Sequence, residues 1–284
     1  MIELEHRLID FDGQFQEHLR TWMRECRGQY ETIEDMEEDM PSVYGKWMLQ
    51  RAGWLEGATP AEFFYRYDDP VLLVGWMIAY MASSTGLPDP LLDRIASLGR
   101  EAETPLLGVL RDEIPLPDSC DRRGVKSVVM NLLNEIQSVA PLHDYIELVV
   151  SGEDSELSEV ACDALSNMGP CIVEPVLAAL DRPMSQEALE SLVDVLSNYP
   201  GDARILGWLI RLFETSPRKA LFASDLGKYG DEAALPALMR TQSEPGISYL
   251  DYIEIRSAIE QLGGEPEPER DFTGDPYYES LKGV

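Results

Sequence analysis

Positive charge is scarce in this sequence. Lys and Arg total 23 against 52 Asp and Glu, a formal net charge of −29. Such a field repels nucleic-acid phosphates and anionic lipid unless a local basic patch overrides it. Nucleic acid is therefore not an expected partner, and a charge-steered partner is expected to be basic. Long apolar runs are missing too. The longest, VLLVGWMIAYMA from Val71 to Ala82, has twelve residues, too few to span a bilayer. No membrane is expected, and the stretch reads as a helix buried on most sides. Cysteine is limited to Cys26, Cys120, Cys162 and Cys171, with no C-x-x-C pair. They read as reduced thiols of a cytoplasmic protein, mostly in its core. The opening residues, MIELEHRLID, mix charges where a secretory leader would begin its apolar stretch, so no leader is expected.

Signatures of chemistry are also absent. His6, His18 and His143 stand in no motif with a Ser or Cys. There is no G-x-x-x-x-G-K-[ST], G-x-S-x-G, dinucleotide fingerprint, H-E-x-x-H or EF-hand loop. No catalytic residue, metal ligand or cofactor is assigned.

What the sequence has is helical periodicity. Phe15, Leu19, Trp22, Met23, Cys26 and Tyr30 recur at steps of three and four. So do Val125 to Ile136, Leu157 to Met168 and Ala188 to Leu196, each placing its apolar residues on one face of a 3.6-residue helix. Thr59-Pro60-Ala61-Glu62 reads as a capping box, and Asp69-Pro70, Asp89-Pro90 and Thr104-Pro105 as further helix starts. Glycines at 99, 169, 201, 230 and 263 suit left-handed stops. The last four are 32, 29 and 33 residues apart. A period near thirty residues with two helices each predicts an all-α fold, an α-solenoid whose pairs stack to share a core.

The segment LGKYGDEAALPALMR (Leu226 to Arg240) resembles the joint between successive HEAT-like repeats of the bilin-lyase type. SLGREAETPLLGVL (Ser97 to Leu110) and DALSNMG (Asp163 to Gly169) are similar. The resemblance covers roughly residues 69 to 264. It implies HEAT-like helical pairs but no single function, because such repeats serve scaffolds, adaptors, lyases and DNA-repair enzymes. The family usually carries Arg or Lys early in the second helix, where this chain has Ser158. We expect a helical N-terminal cap at 1–68 with an acidic loop from Glu31 to Asp39. About six helical pairs then fill 69–264, followed by an acidic tail at 265–284.

A carboxylate ladder is the main candidate site. Glu156, Glu159 and Asp163 are spaced i, i+3, i+7 on the helical face opposite the Leu157 stripe. Glu187, Glu190 and Asp194 repeat the spacing 31 residues later, and Asp225 follows 31 residues after Asp194. All are expected to be exposed on second helices, which line the concave surface of HEAT-like arrays. No Lys or Arg lies between Ser127 and Asp181. This pattern suggests a surface for a basic protein or peptide; the plain alternative is a solvated face. The other candidate is Arg204, Trp208 and Arg211, an anion or ligand site, or else an aromatic flanking the core. The expected function is a non-catalytic protein-interaction module. The alternatives are a HEAT-like lyase or cofactor chaperone for a small ligand and, more remotely, a HEAT-like DNA glycosylase, which would need a basic groove. In the tail, EPEPERD reads as extended, and Phe272, Tyr277, Tyr278 and Leu281 either dock on the last repeat or bind a partner.

Overall fold

The computed structural model describes residues 8–26, 28, 30 and 32–282; His6 and Glu31 lie outside them. Among the described residues every regular element is helical, as expected. No described helix is long and apolar enough to cross a membrane. The chain divides into two compact units, Met1–Pro141 and Leu142–Val284.

The first unit contains α1 (Phe11–Glu25), α2 (Ile33–Met48), α3 (Pro70–Met81), α4 (Asp89–Ser97), α5 (Arg100–Leu110) and α6 (Arg122–Glu135). Asp69 caps α3 as expected, accepting from the backbone N–H of Val71 at 2.9 Å. This helix buries Leu73, Val74, Trp76, Met77, Ile78 and Tyr80, so the apolar run is a core helix. Phe11 anchors an aromatic cluster with Trp54, Phe63 and Phe64, its ring centroids 5.4–6.0 Å from theirs.

Three expected starts differ. Glu62 N–H does donate to Thr59 Oγ1, but only the 3-10 turn Phe63–Arg66 follows. Phe63 and Phe64 are both buried there. Asp89 is the first residue of α4 and not its cap. Pro105 lies inside α5, which starts earlier at Arg100 because Gly99, at φ 57°, turns the chain there. The acidic loop is also corrected. Residues from Ile33 onward are helix α2, opened by a capping box between Thr32 and Asp35.

The second unit runs through α7 (Leu142–Ser151), α8 (Ser155–Asn167), α9 (Val173–Leu180), α10 (Gln186–Ser197), α11 (Ala203–Thr215), α12 (Lys219–Tyr229), α13 (Leu235–Gln242), α14 (Tyr249–Gln261) and α15 (Pro276–Lys282). Helices α8, α10, α12 and α14 form a row in which each packs on the next. Helix α7 packs on α9, and α11 on α13. Tyrosines tie neighbouring connections. Tyr199 Oη donates to the Ser166 carbonyl at 3.0 Å, and Tyr229 Oη donates to the Asp202 carbonyl at 2.7 Å. Gly230 ends α12 in the left-handed conformation.

The tail docks on its own unit. Phe272 is buried against Tyr249 and Tyr252, and Tyr278 packs edge-on to Tyr249 at 4.8 Å. Tyr277 and Leu281 remain exposed. The cysteines are not core residues. Cys171 is exposed, and Cys26, Cys120 and Cys162 are half-buried.

Leu165 and Leu196 are wholly buried in α8 and α10. Leu165→Ala and Leu196→Ala are each expected to destabilise the protein by about 2–5 kcal/mol in urea unfolding. Losses under about 0.5 kcal/mol at both, the range for surface sites, would contradict this packing.

Candidate functional site

Helices α8 and α10 pack side by side, and a groove of about 430 Å³ opens between them. Local capping fixes both walls. The Asp154 carboxylate accepts from Leu157 N–H to start α8, and Ser185 Oγ accepts from Ala188 N–H to start α10. The apolar stripes of the two helices face the core, so their polar residues turn outward. Glu159, Cys162 and Asp163 line one wall; Glu187, Ser191 and Asp194 line the other.

Four ladder residues therefore share one groove. Glu159, Asp163, Glu187 and Asp194 are exposed, and no Lys or Arg lines it. Among the described residues none of these four forms an ion pair. Their field is felt by Cys162. Burial, then Asp194, Asp163 and Glu159, push this thiol up to about 12. It stays protonated at neutral pH and is a poor nucleophile. Glu156 is exposed on α8 but does not line the groove.

The structure corrects the ladder at two positions. Glu190 is 4% exposed and Asp225 is 0% exposed, although both were expected at the surface. Helix α10 meets α12 as well as α8, so the flank carrying Glu190 is covered. Glu190 is well provided for there. Its carboxylate accepts from Gln186 Nε2 at 3.0 Å, Ser216 Oγ at 2.7 Å and Arg218 Nη1 at 3.4 Å. Burial opposes its charge, but these donors outweigh burial and hold the carboxyl below its ordinary value. Ser216 and Arg218 escape a reading of helical periodicity because they come from the connection between α11 and α12.

Asp225 is provided for differently. Neither of its oxygens meets a donor. Burial first, then the charge of Asp194, push Asp225 up to about 7.

The second candidate is built from ion pairs. Arg204 is clamped by Glu174, at 2.5 Å, and by Asp202, at 2.6 Å. Arg204 in turn holds Glu174 below its ordinary value and Asp202 at about 2. The Arg211 guanidinium lies over the Trp208 ring, 4.9 Å from its centroid, and Trp208 is half-buried. A second cavity, of about 190 Å³, lies in the first unit, lined by Trp54, Phe63, Phe64, Tyr67 and Trp76. It is smaller than the roughly 300–1,000 Å³ of pockets that hold drug-sized ligands. Among the described residues no group of three or more His, Cys, Asp or Glu is placed to hold a metal ion.

Two outcomes follow. Glu190→Ala leaves Ser216 and Gln186 without their acceptor, and its expected cost in urea unfolding is about 1–3 kcal/mol. Glu159→Ala on the open wall should stay within about 0.5 kcal/mol, and equal costs would mean the two sites are alike. Asp225 sets a pH dependence. Its ordinary value is 3.8 and its folded value about 7. Between these the folded chain holds a proton that the unfolded chain has released, so stability falls as pH rises through this window and is level above it. The stability gained by Asp225→Asn should therefore grow from pH 4 to pH 7 and then stay constant. A gain that is flat across this range would show that Asp225 titrates normally. Comparison with protein-family models and with curated proteins finds no match to this chain.

Proposed function

We propose that this chain is a non-catalytic interaction module of stacked HEAT-like helical pairs. It binds a basic segment of a partner protein in the groove between α8 and α10. One observation carries the reading: four carboxylates with no cationic partner converge on a single cleft. Some acidic residues elsewhere in the second unit are matched, as Glu147 is by Arg182 and Glu174 by Arg204. The groove gathers its unmatched charge in one place, where something outside the chain can meet it. The row of second helices supports the solenoid reading, since a pair that cannot bury both faces must share them with its neighbours. In that arrangement the groove belongs to the concave surface. The raised Cys162 thiol supports binding over nucleophilic chemistry at this place.

The test is binding of a fluorescent lysine octapeptide to the protein and to a variant carrying Glu159→Gln, Asp163→Asn, Glu187→Gln and Asp194→Asn. Exposed charge pairs contribute about 0.2–1 kcal/mol each, so the variant should bind roughly tenfold more weakly. Raising salt should weaken binding to the parent protein in the same way, because exposed charges are screened beyond about 8–10 Å. Arg204→Ala with Arg211→Ala should leave affinity unchanged. Unaltered binding by the fourfold variant, or its loss in the arginine pair, would overturn the assignment to this groove.

A further inference from the structure

The cavity of the first unit differs in kind from the groove. Its walls are aromatic, and Arg66 is the one cation lining it. Phe64 and Trp76 are buried, whereas Arg66 and Glu56 are exposed and so form part of its rim. Another wall is fastened by Tyr80. Its hydroxyl accepts from Ile9 N–H at 3.0 Å and donates to the Ile9 carbonyl at 3.1 Å.

Size limits what such a space can take. A cavity of about 150 Å³ holds one benzene. The cavity here, of about 190 Å³, has room for a single ring and a small substituent. Aromatic walls favour a ring, which gains from stacked and edge-on contacts.

Arg66 selects the substituent. Its guanidinium lies over the Phe63 ring, 4.5 Å from the centroid, and Nη2 donates to the Leu55 carbonyl at 3.3 Å. Its carboxylate partner, Glu56, makes one contact of 3.3 Å and has a side chain 86% exposed. Other guanidiniums of the chain are held more closely. Arg94 meets Asp68 at 2.6 Å, Arg182 meets Glu147 at 2.5 Å and Arg270 meets Glu267 at 2.6 Å. A guanidinium fork matches a carboxylate through two parallel bonds of about 2.7–2.9 Å. Glu56 supplies a single longer one. Exposed pairs of this sort contribute little, so an incoming carboxylate displaces Glu56 at small cost.

We propose that this cavity is a site for a small aromatic carboxylate, one ring carrying its acid group on a short stem. The ring lies between the aromatic walls, and the carboxylate replaces Glu56 on Arg66 while Glu56 turns out to solvent. A cationic ligand is repelled by Arg66, and an uncharged one leaves the guanidinium with its loose partner. The site lies in the other unit from the groove and does not depend on it.

The experiment is fluorine NMR of three probes that share a ring: 4-fluorophenylacetate, 4-fluorobenzyl alcohol and 4-fluorobenzylamine. Each is titrated with the full chain. The acetate is expected to bind roughly tenfold more tightly than the alcohol, because hydrogen bonds between charged groups are stronger than neutral ones. The amine, an ammonium at neutral pH, should bind most weakly. Tryptophan fluorescence should change as the acetate binds, since Trp54 and Trp76 line the cavity. Glu56→Gln removes the competing carboxylate at an exposed position, where substitution leaves the fold intact. It should tighten acetate binding by up to roughly fivefold. Arg66→Gln should erase the preference for acetate over alcohol and keep the affinity for the alcohol. Equal binding of acetate and alcohol, tightest binding of the amine, or binding of none of the three would each overturn the proposal. So would an acetate affinity that Glu56→Gln leaves unchanged or lowers, a result that does not require the Arg66 variant to fold.

Discussion

Helix α10 buries most of its circumference. Leu192, Val193, Val195 and Leu196 are all buried, and they occupy more of its circumference than one neighbour can cover. It therefore packs on α7, α8, α9, α11 and α12 at once. The arrangement of the second unit follows from this requirement. Helix α10 lies between α8 and α12 in their row, and its polar residues either reach the cleft beside α8 or go under α12.

Going under α12 means giving up water, which is costly for a charge unless partners replace it. The chain meets that cost in two ways. Glu190 stays ionised because Gln186, Ser216 and Arg218 supply donors. Asp225 has no such donors, so its charged form is disfavoured up to about neutral pH. Two carboxylates within the same helical row thus differ in charge state for a reason visible in their surroundings. The four groove carboxylates pay nothing of this kind, since they keep their water.

Much of this was legible beforehand. The all-α class, the buried helix at Val71 to Ala82, the outward face of Glu156, Glu159 and Asp163, and the glycine stops follow from periodicity and turn chemistry. Periodicity did not reveal which flanks of a helix have a neighbour. Glu187, Glu190 and Asp194 repeat the spacing of the α8 triad, yet the middle residue is buried. A signal was present in Val193 and Ser197, three and seven residues after Glu190, both buried on its side of α10. Asp225 carried a similar sign. It sits among Phe222, Ala223, Leu226 and Gly227, and a side chain at Gly227 would press on Ala258 of α14. Small residues inside a helix mark such close approach. The order and partners of Arg204, by contrast, depend on Glu174, thirty residues away in sequence, and no local pattern joins them.

Tyr199 follows α10 directly, and its hydroxyl is fastened to the Leu165 and Ser166 carbonyls near the C-terminal end of α8. The opposite ends of these two helices, at Ser155 and Ser185, border the groove. The cleft is therefore pinned at one end, like the ribs of a hand fan.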